Sequence, residues 1–130
     1  MKVIHVSGKR KSAIARATLK AGKGIVRINS KALETYSPEM YKSKIMEPLL
    51  LAGDVVKSIN ISVNVKGGGQ SSQADASRLA IGRALVKHQA SLKKVFLTYD
   101  RALIVADVRR KEVYKPNVSK ARKKRQKSYR

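Results

Sequence analysis

Residues 109–130, the last 22 of the chain, carry eleven Lys or Arg and a single acid, Glu112, for a net charge of +10. Like charges at this density repel one another, and the segment has too little apolar surface to offset the entropy lost on ordering. We expect it to stay extended until a polyanion neutralises it. The chain length then predicts one globular domain over residues 1–108, followed by an extended basic tail over residues 109–130.

Positive charge is not confined to this tail. The whole chain has 30 Lys or Arg against 8 Asp or Glu, for a formal net charge of +22. Nucleic acid is the polyanion that such a charge most often binds, because displacing counterions from phosphates supplies affinity without a sequence code. Two alternatives stay open: an anionic membrane surface, and a tail that only solvates or targets the chain. With one Phe and no Trp, base stacking is not expected to be the main binding mode.

Several classes of chemistry lack the residues they need. Cysteine is absent, which excludes disulfides, thiolate metal sites and cysteine nucleophiles. His5 and His88 are far apart in the sequence, and it contains neither a close pair of acids nor a Gly-x-Ser-x-Gly motif. We therefore expect no metal, no cofactor and no enzymatic activity. The longest apolar run, residues 49–52, is far shorter than the roughly 20 residues that cross a bilayer, so we expect no membrane-spanning segment. With nucleic acid favoured over a membrane surface, we expect no membrane partner and a cytoplasmic location.

Apolar and polar residues alternate over residues 59–66, a pattern typical of a half-buried strand. Residues 3–7, 13–20 and 24–30 are predicted to form three further strands, with a basic turn at residues 8–11 between the first two. We expect these strands to follow one another as a meander. A sheet is therefore predicted for much of the first half of the chain.

A first helix is predicted to begin with Ser37 as its N-cap and Pro38 in its first turn. Pro48 removes a backbone hydrogen-bond donor from that helix. We therefore expect a break near Met46 and a second short helix that ends at Gly53.

The longest helix is predicted over residues 70–89, which lack Pro and are rich in Ala, Leu and Arg. It is expected to cover the sheet, with His88 at the edge of the core as a packed or capping residue rather than a ligand. Residues 92–98 are predicted to form a helical turn, and residues 100–107 an irregular segment. The side chains expected to share one core are Ile59, Ile61, Val63, Ile81 and Leu85.

Three groups of basic residues are candidate RNA contacts, because closely spaced cations can reach one stretch of phosphates. Arg83 and Lys87 are added to them. Like charges four residues apart on a helix repel each other, so a nearby anion would stabilise them. The alternative is that both side chains simply lie on a face exposed to solvent. The three groups are Lys9, Arg10 and Lys11 with Arg16; Arg109, Arg110 and Lys111; and Arg122, Lys123, Lys124 and Arg125 with Lys127 and Arg130.

Gly67, Gly68 and Gly69, followed by Gln70, lie between the predicted strand and the long helix. Glycine permits positive φ, and the amides of a helix N-terminus point toward an anion, so this loop is a candidate cradle for an RNA phosphate. Packing in a tight turn is the alternative. A nucleoside triphosphate site is disfavoured, since the Lys-Ser or Lys-Thr of a P-loop is missing and Asp75 is the only carboxylate nearby in the sequence.

Three segments occur in a set order along the chain: GKRKSAIARA at residues 8–17, GGGQSSQA at residues 67–74 and RKKRQKSYR at residues 122–130. Together they resemble the small-subunit ribosomal protein nine family, in its archaeal and eukaryotic form. The likeness extends over nearly the whole chain. Bacterial members usually end in a Ser-Lys-Arg type sequence, whereas this chain ends in Lys-Ser-Tyr-Arg, and residues 100–107 also favour the archaeal form.

The resemblance implies a compact α+β domain, with helices packed on one face of a mixed sheet, split βαβ topology and a left-handed crossover. It implies a structural constituent of the small ribosomal subunit that binds rRNA of the subunit head beside neighbouring ribosomal proteins, and that catalyses no reaction. It further implies that the tail reaches the peptidyl-site tRNA, with Arg130 at the backbone of the anticodon stem-loop. The residues implied in this contact are Lys127, Ser128, Tyr129 and Arg130.

Two other functions stay open on the residues alone. A basic duplex-binding or chromatin-like protein would share the charge and the tail, but it would use dimer symmetry or minor-groove insertion. RNA footprinting on small subunits separates that function from the ribosomal one. A small kinase-like protein could use the glycine loop for ATP, although the acids are too few to hold its metal ions. Calorimetry with a nucleotide tests it.

Overall fold

A computed structural model describes residues 2–36, 38–117 and 120–122. The strands in these ranges are β1 Ile4–Arg10, β2 Ala13–Ala21, β3 Val26–Ile28, β4 Lys31–Ala32 and β5 Ile59–Lys66. They form one mixed sheet in the order β1, β2, β5, β3, β4. β2 pairs antiparallel with both β1 and β5, whereas β3 runs parallel to β5 and antiparallel to β4. The sheet therefore places β5 in its centre.

The predicted meander is wrong, because β5 lies between β2 and β3. The connection after β2 is bonded to β5 and the segment before it. The amide of Gly22 donates to the carbonyl of Ser58 at 3.0 Å. The side-chain oxygen of Asn60 accepts hydrogen bonds from the amides of Lys23 at 2.9 Å and Ile25 at 3.1 Å. These hydrogen bonds hold the connection across the start of β5. As a result, β3 pairs with the edge of β5 opposite to β2.

The helices of the described residues are α1 Glu39–Ala52, α2 Gln70–His88 and α3 Leu92–Tyr99, with 3-10 segments at Leu33–Thr35, Gly53–Ser58 and Arg101–Leu103. α2 packs on β1, β2 and β5, and α1 and α3 pack against α2. The predictions of an α+β fold with a mixed sheet and of a long helix after β5 are confirmed. No helix in the described part of the chain is long and apolar enough to span a membrane.

α1 differs from its prediction at both the start and the middle. It runs unbroken through Pro48, so the predicted break near Met46 is wrong. Pro48 is fully buried, and its packing offsets the one backbone hydrogen bond that it removes. Pro38 occupies the N-cap position instead of the first turn, and the prediction for Ser37 lies outside the described residues. The helix does end at Gly53, which has a positive φ of 64°.

β1 is longer than predicted and takes up most of the expected basic turn. Gly8, Lys9 and Arg10 belong to the strand, and the turn to β2 consists of Lys11 and Ser12 alone. Gly8 lets α2 pack directly against this part of the strand, because the backbone of α2 lies where a side chain at this position would stand. The strand then aims successive cations at opposite faces of the sheet.

The core lies between the inner face of the sheet and α2. As predicted, the side chains of Ile59, Ile61, Val63, Ile81 and Leu85 are buried in it together. β2 contributes mainly alanines to this layer, and their small side chains let α2 approach the sheet closely. His88 is half-buried at the end of α2, at the edge of the core.

Candidate nucleic-acid interface

Lys9 and Lys11 of the first predicted basic group meet the whole of the second group at one end of the sheet. There the β1–β2 turn and the start of the tail line a shallow groove, called the basic groove below. Its lining residues are Lys9, Lys11, Ser12, Arg109, Arg110 and Lys111. Within the part of the chain that the structure describes, the groove has five cations in its lining and no carboxylate. An arrangement of this kind favours an anionic ligand with several charges.

The glycine loop packs against the same turn. Gly67 and Gly68 have positive φ values of 82° and 64°. A side chain at Gly67 would stand 2.4 Å from the carbonyl oxygen of Ser12, so close backbone packing explains this glycine. Gly69 has open space around it and caps α2 without a side chain, so the first amides of the helix can be approached from solvent. The phosphate cradle stays a prediction for all four residues: Gly67, Gly68, Gly69 and Gln70.

Arg10 differs from its neighbours in the first basic group, because it points toward the helices. Its side chain is only 14% exposed, and its guanidinium lies 3.2 Å from Asp107 and 3.7 Å from Asp75. Lys44 of α1 pairs with Asp75 as well, at 3.6 Å. Arg10 thus joins β1 to α2 and to the segment that precedes the tail. Its contact with RNA stays a prediction.

Asp107 connects this internal network to the tail. Arg109 folds back on it: the guanidinium donates to Oδ2 at 3.0 Å and 2.7 Å and to Oδ1 at 3.1 Å, and the Arg109 amide donates to Oδ1 at 2.8 Å. These hydrogen bonds, together with the charge of Arg10, hold the pKa of Asp107 well below its usual range. The carboxylate is therefore charged at neutral pH, and it binds one arginine of the domain and one of the tail.

Arg83 also has partners inside the domain. Its guanidinium donates to the carbonyl of Ile104 at 2.9 Å and to the carbonyl of Ser7 at 3.0 Å. It thereby fastens the segment before the tail to the edge strand β1. Lys87, one turn further along α2, is exposed. Contact of either residue with RNA stays a prediction. Of the two, Lys87 is exposed and Arg83 is half-buried.

The sequence predicts no role for Arg78, which the structure shows to be important for packing. Its side chain is 12% exposed, and it donates to Glu47 of α1 at 2.9 Å and to Asp100 at 3.0 Å. It therefore ties α1, α2 and the segment after α3 together. The partners lie far from Arg78 in sequence, and no local spacing signals them. The acids of the domain are thus largely engaged with arginines on the helical side.

The described part of the tail has no regular secondary structure. Glu112 accepts hydrogen bonds from Lys115 and, at 2.6 Å, from Arg122, and these bonds lower its pKa. The ammonium of Lys111 lies 5.1 Å from the ring centre of Tyr114. The remaining predicted contacts lie outside the described residues: Lys123, Lys124, Arg125, Lys127, Ser128, Tyr129 and Arg130.

Arg16 lies apart from the basic groove, on the face of the sheet turned away from α2. It is exposed, and it stands opposite Ser7 of β1 and Asn64 of β5. The four residues of the first basic group therefore have different surroundings: Lys9 and Lys11 line the groove, Arg10 lies inside the domain, and Arg16 lies on the outer sheet face, whose edge Lys9 also occupies. No cluster of three or more potential metal ligands occurs in the described ranges.

Comparison with known proteins agrees with the resemblance seen in the three sequence segments. Residues 8–130 match the family model described as Ribosomal protein S9/S16. The chain is 52% identical to a Methanococcus vannielii protein described as Small ribosomal subunit protein uS9, over 134 aligned positions that cover both chains completely. A Methanococcus maripaludis protein of the same description shows the same identity and coverage. On these matches, the chain belongs to the ribosomal protein S9/S16 family.

Proposed function

We propose that the chain is a structural constituent of the small ribosomal subunit, and that it binds rRNA of the subunit head beside neighbouring ribosomal proteins. Its full-length relatives carry the description Small ribosomal subunit protein uS9. The observation that carries the proposal is the basic groove, whose five cations converge at the start of the tail. Cations held together in this way gain most from a phosphate backbone, because binding replaces counterions and relieves their mutual repulsion.

The two parts of the chain have different tasks in this proposal. The domain, residues 1–108, binds rRNA, and the tail, residues 109–130, reaches further RNA and the peptidyl-site tRNA. The connection from β3 through α1 to β5 joins parallel strands that are direct neighbours in the sheet, which makes a βαβ unit without the intervening strand of a split one, and we propose a left-handed crossover for it. A cytoplasmic location follows from the ribosomal role, and no catalytic step is assigned to the chain.

The end of the tail is proposed to contact tRNA in the peptidyl site. A guanidinium can donate two parallel hydrogen bonds to a phosphate, which a lysine ammonium cannot match. Such a contact reads no base, so it serves every tRNA alike. Binding of the rest of the tail to rRNA offsets the conformational entropy that the tail loses when it becomes ordered. Arg130 is therefore in position before tRNA arrives. The proposed tRNA contacts are Lys127, Ser128, Tyr129 and Arg130.

The test is tRNA dissociation from small subunits assembled with a chain that ends at Tyr129. We expect tRNA affinity at the peptidyl site to fall by about 1 to 2 kcal/mol, as for one charge-assisted hydrogen-bonded contact, while the subunit still assembles. Arg130→Lys should retain part of the affinity, since the charge survives and the bidentate geometry does not.

Arg101→Gln is the matched control, because it removes one exposed arginine from the domain instead of the tail. It should leave tRNA dissociation at the wild-type rate. If the chain ending at Tyr129 also dissociates tRNA at the wild-type rate in intact subunits, Arg130 only neutralises charge and the proposed tRNA contact is wrong.

A further inference from the structure

We propose that the face of the sheet turned away from α2 is a second RNA-binding surface, and that it binds double-helical RNA by the sugar-phosphate backbone. This surface, the open sheet face, is defined by five exposed cations: Lys9, which it shares with the basic groove, and Arg16, Lys20, Arg27 and Lys66. The inference rests on the proposed function, which supplies RNA as the ligand. It adds the surface of the domain that binds the RNA and the double-helical form of that RNA. Three of the five cations, Lys20, Arg27 and Lys66, were not among the contacts expected from the sequence.

Strand geometry spreads these cations over the face. Side chains alternate between the two faces of a sheet, and Arg16, Lys20, Arg27 and Lys66 each follow or precede a residue of the core in their strand. Arg16 and Lys20 are four residues apart on β2, or roughly 13 Å along the strand. Lys9 of β1 and Lys66 of β5 stand opposite the same residue of β2, Ile14, which puts them roughly 10 Å apart across the sheet. Spacings of this size suit a ligand with many phosphates rather than a single small anion.

The open sheet face has no acidic residues. All eight acids of the chain lie in the described residues, and none of them belongs to a strand. Four of them, Glu47, Asp75, Asp100 and Asp107, form ion pairs on the helical side of the sheet. In the described ranges no ion pair involves any of the five cations. Their charge is therefore available to a partner, and that partner is anionic.

The strands also contain no Phe, Tyr or Trp. Proteins that bind unpaired bases on a sheet stack those bases on exposed aromatic rings, and this face has no ring of that kind. Beside the cations lie hydroxyl and amide side chains instead, among them Thr18, Ser62 and Asn64. Such groups hydrogen-bond to phosphates and ribose 2′-hydroxyls, which an RNA duplex presents across its wide, shallow minor groove. A duplex therefore fits the face better than a single strand does.

The experiment compares two variants of the full-length chain, each lacking three cations. The sheet variant is Lys20→Gln, Arg27→Gln and Lys66→Gln. The control variant is Lys93→Gln, Lys94→Gln and Arg101→Gln. Like the sheet variant, it lacks two lysines and one arginine, here at exposed positions on and next to α3. Binding is measured against a blunt RNA duplex of about 20 base pairs and against one of its strands alone, over a range of salt concentrations, with circular dichroism as the check of folding.

We expect the sheet variant to bind the duplex about tenfold to a hundredfold more weakly than wild type, with a salt slope that is smaller by roughly 2 to 3 because three phosphate contacts are lost. Its loss on the single strand should be much smaller, and the control variant should lose less than about threefold on either RNA.

Equal losses of duplex binding in the two variants would place the binding elsewhere and overturn the inference while leaving the proposed function standing. A sheet variant that loses as much affinity for the single strand as for the duplex would also overturn it. If the wild-type chain binds neither RNA, the proposed function fails, and the inference fails with it.

Discussion

Arginines that look alike in the sequence have different surroundings in the fold. Arg78 is almost enclosed and bonded to two carboxylates, and Arg83 donates to two backbone carbonyls. Arg16, by contrast, is exposed on the open sheet face. Removing one partner of an enclosed ion pair leaves the other charge uncompensated, so these residues affect stability before they affect any ligand. Loss of RNA binding in an Arg78 or Arg83 variant would therefore not identify a contact.

Asp100 gives this network a measurable pH dependence. The amide of Ala102 and the guanidinium of Arg78 lower the pKa of Asp100, against the opposing effect of burial. A lowered pKa contributes stability above the unfolded-state value of about 3.9, and that contribution is lost as the pH falls through the folded-state value. We expect Asp100→Asn to lower the urea midpoint at about pH 7 and to be less sensitive than wild type to acidification to about pH 3.

The matched control for this prediction is Asp54→Asn. Asp54 pairs with Lys57 where both side chains are over 80% exposed, and such surface pairs contribute little to stability. The control should follow the wild-type loss of stability between the two pH values. If Asp100→Asn follows it too, the Asp100 carboxylate does not stabilise the fold through its charge.

At the scale of secondary-structure elements, the close contact between β1 and α2 depends on Gly8. A β-carbon at this position would stand 2.6 Å from the carbonyl oxygen of Ala76 and 2.8 Å from the amide nitrogen of Ala80. Neither backbone atom can move without shifting α2. The glycine therefore sets how near the helix lies to the sheet, and with it the position of Arg83 over the edge of β1.

We predict that Gly8→Ala lowers the free energy of unfolding by about 1 to 3 kcal/mol, as overpacking of a tight contact does. Chemical denaturation followed by circular dichroism measures this loss. Gly69→Ala is the matched control, since nothing lies within 4 Å of the added carbon, and its loss should stay below about 1 kcal/mol. Equal losses in the two variants would show that α2 can move away from β1 without penalty.

At the scale of the whole molecule, acids and cations are unevenly divided. The acids of the domain are concentrated with arginines around the helices, whereas the basic groove and the open sheet face carry cations. Asp107 stands between these regions and joins Arg10 of the domain to Arg109 of the tail. The boundary between domain and tail is therefore expected between Val108 and Arg109, just after Asp107.

We predict that deleting residues 109–130 leaves the domain folded, with a free energy of unfolding within about 1 kcal/mol of the full chain, because the exposed tail contributes little to the core. Deleting residues 100–130 should lower it by about 2 to 5 kcal/mol or abolish folding, since Leu103 is fully buried and Asp100 is bonded to Arg78. Urea unfolding of both truncated chains tests the boundary. If the shorter deletion unfolds the domain, the tail belongs to the fold.

The sequence by itself determined the strand at residues 59–66, the long helix and the core between them, and its resemblance to a known family implied the α+β class. The strand and the core follow from the spacing of apolar residues, a local property with a period of about 2 in a strand and about 3.6 in a helix, and the long helix follows from a segment without Pro that is rich in Ala, Leu and Arg. The basic character of residues 109–130 was equally readable, because charge repulsion within a segment needs no knowledge of the rest of the fold. The ribosomal family was also recognisable from three short segments, which the comparisons confirmed.

Only the tertiary structure decided the strand order, the continuity of α1 and the fate of each cation. Asn60 accepts hydrogen bonds from the connection after β2, and Pro48 is buried near the point where a break in α1 was expected. Arg10 faces Asp107, whereas its neighbours along the chain face solvent. Each of these outcomes depends on a partner that is distant along the chain. The free energy that decides them comes from contacts that exist only after the chain has folded, so no local pattern of residues carries the information.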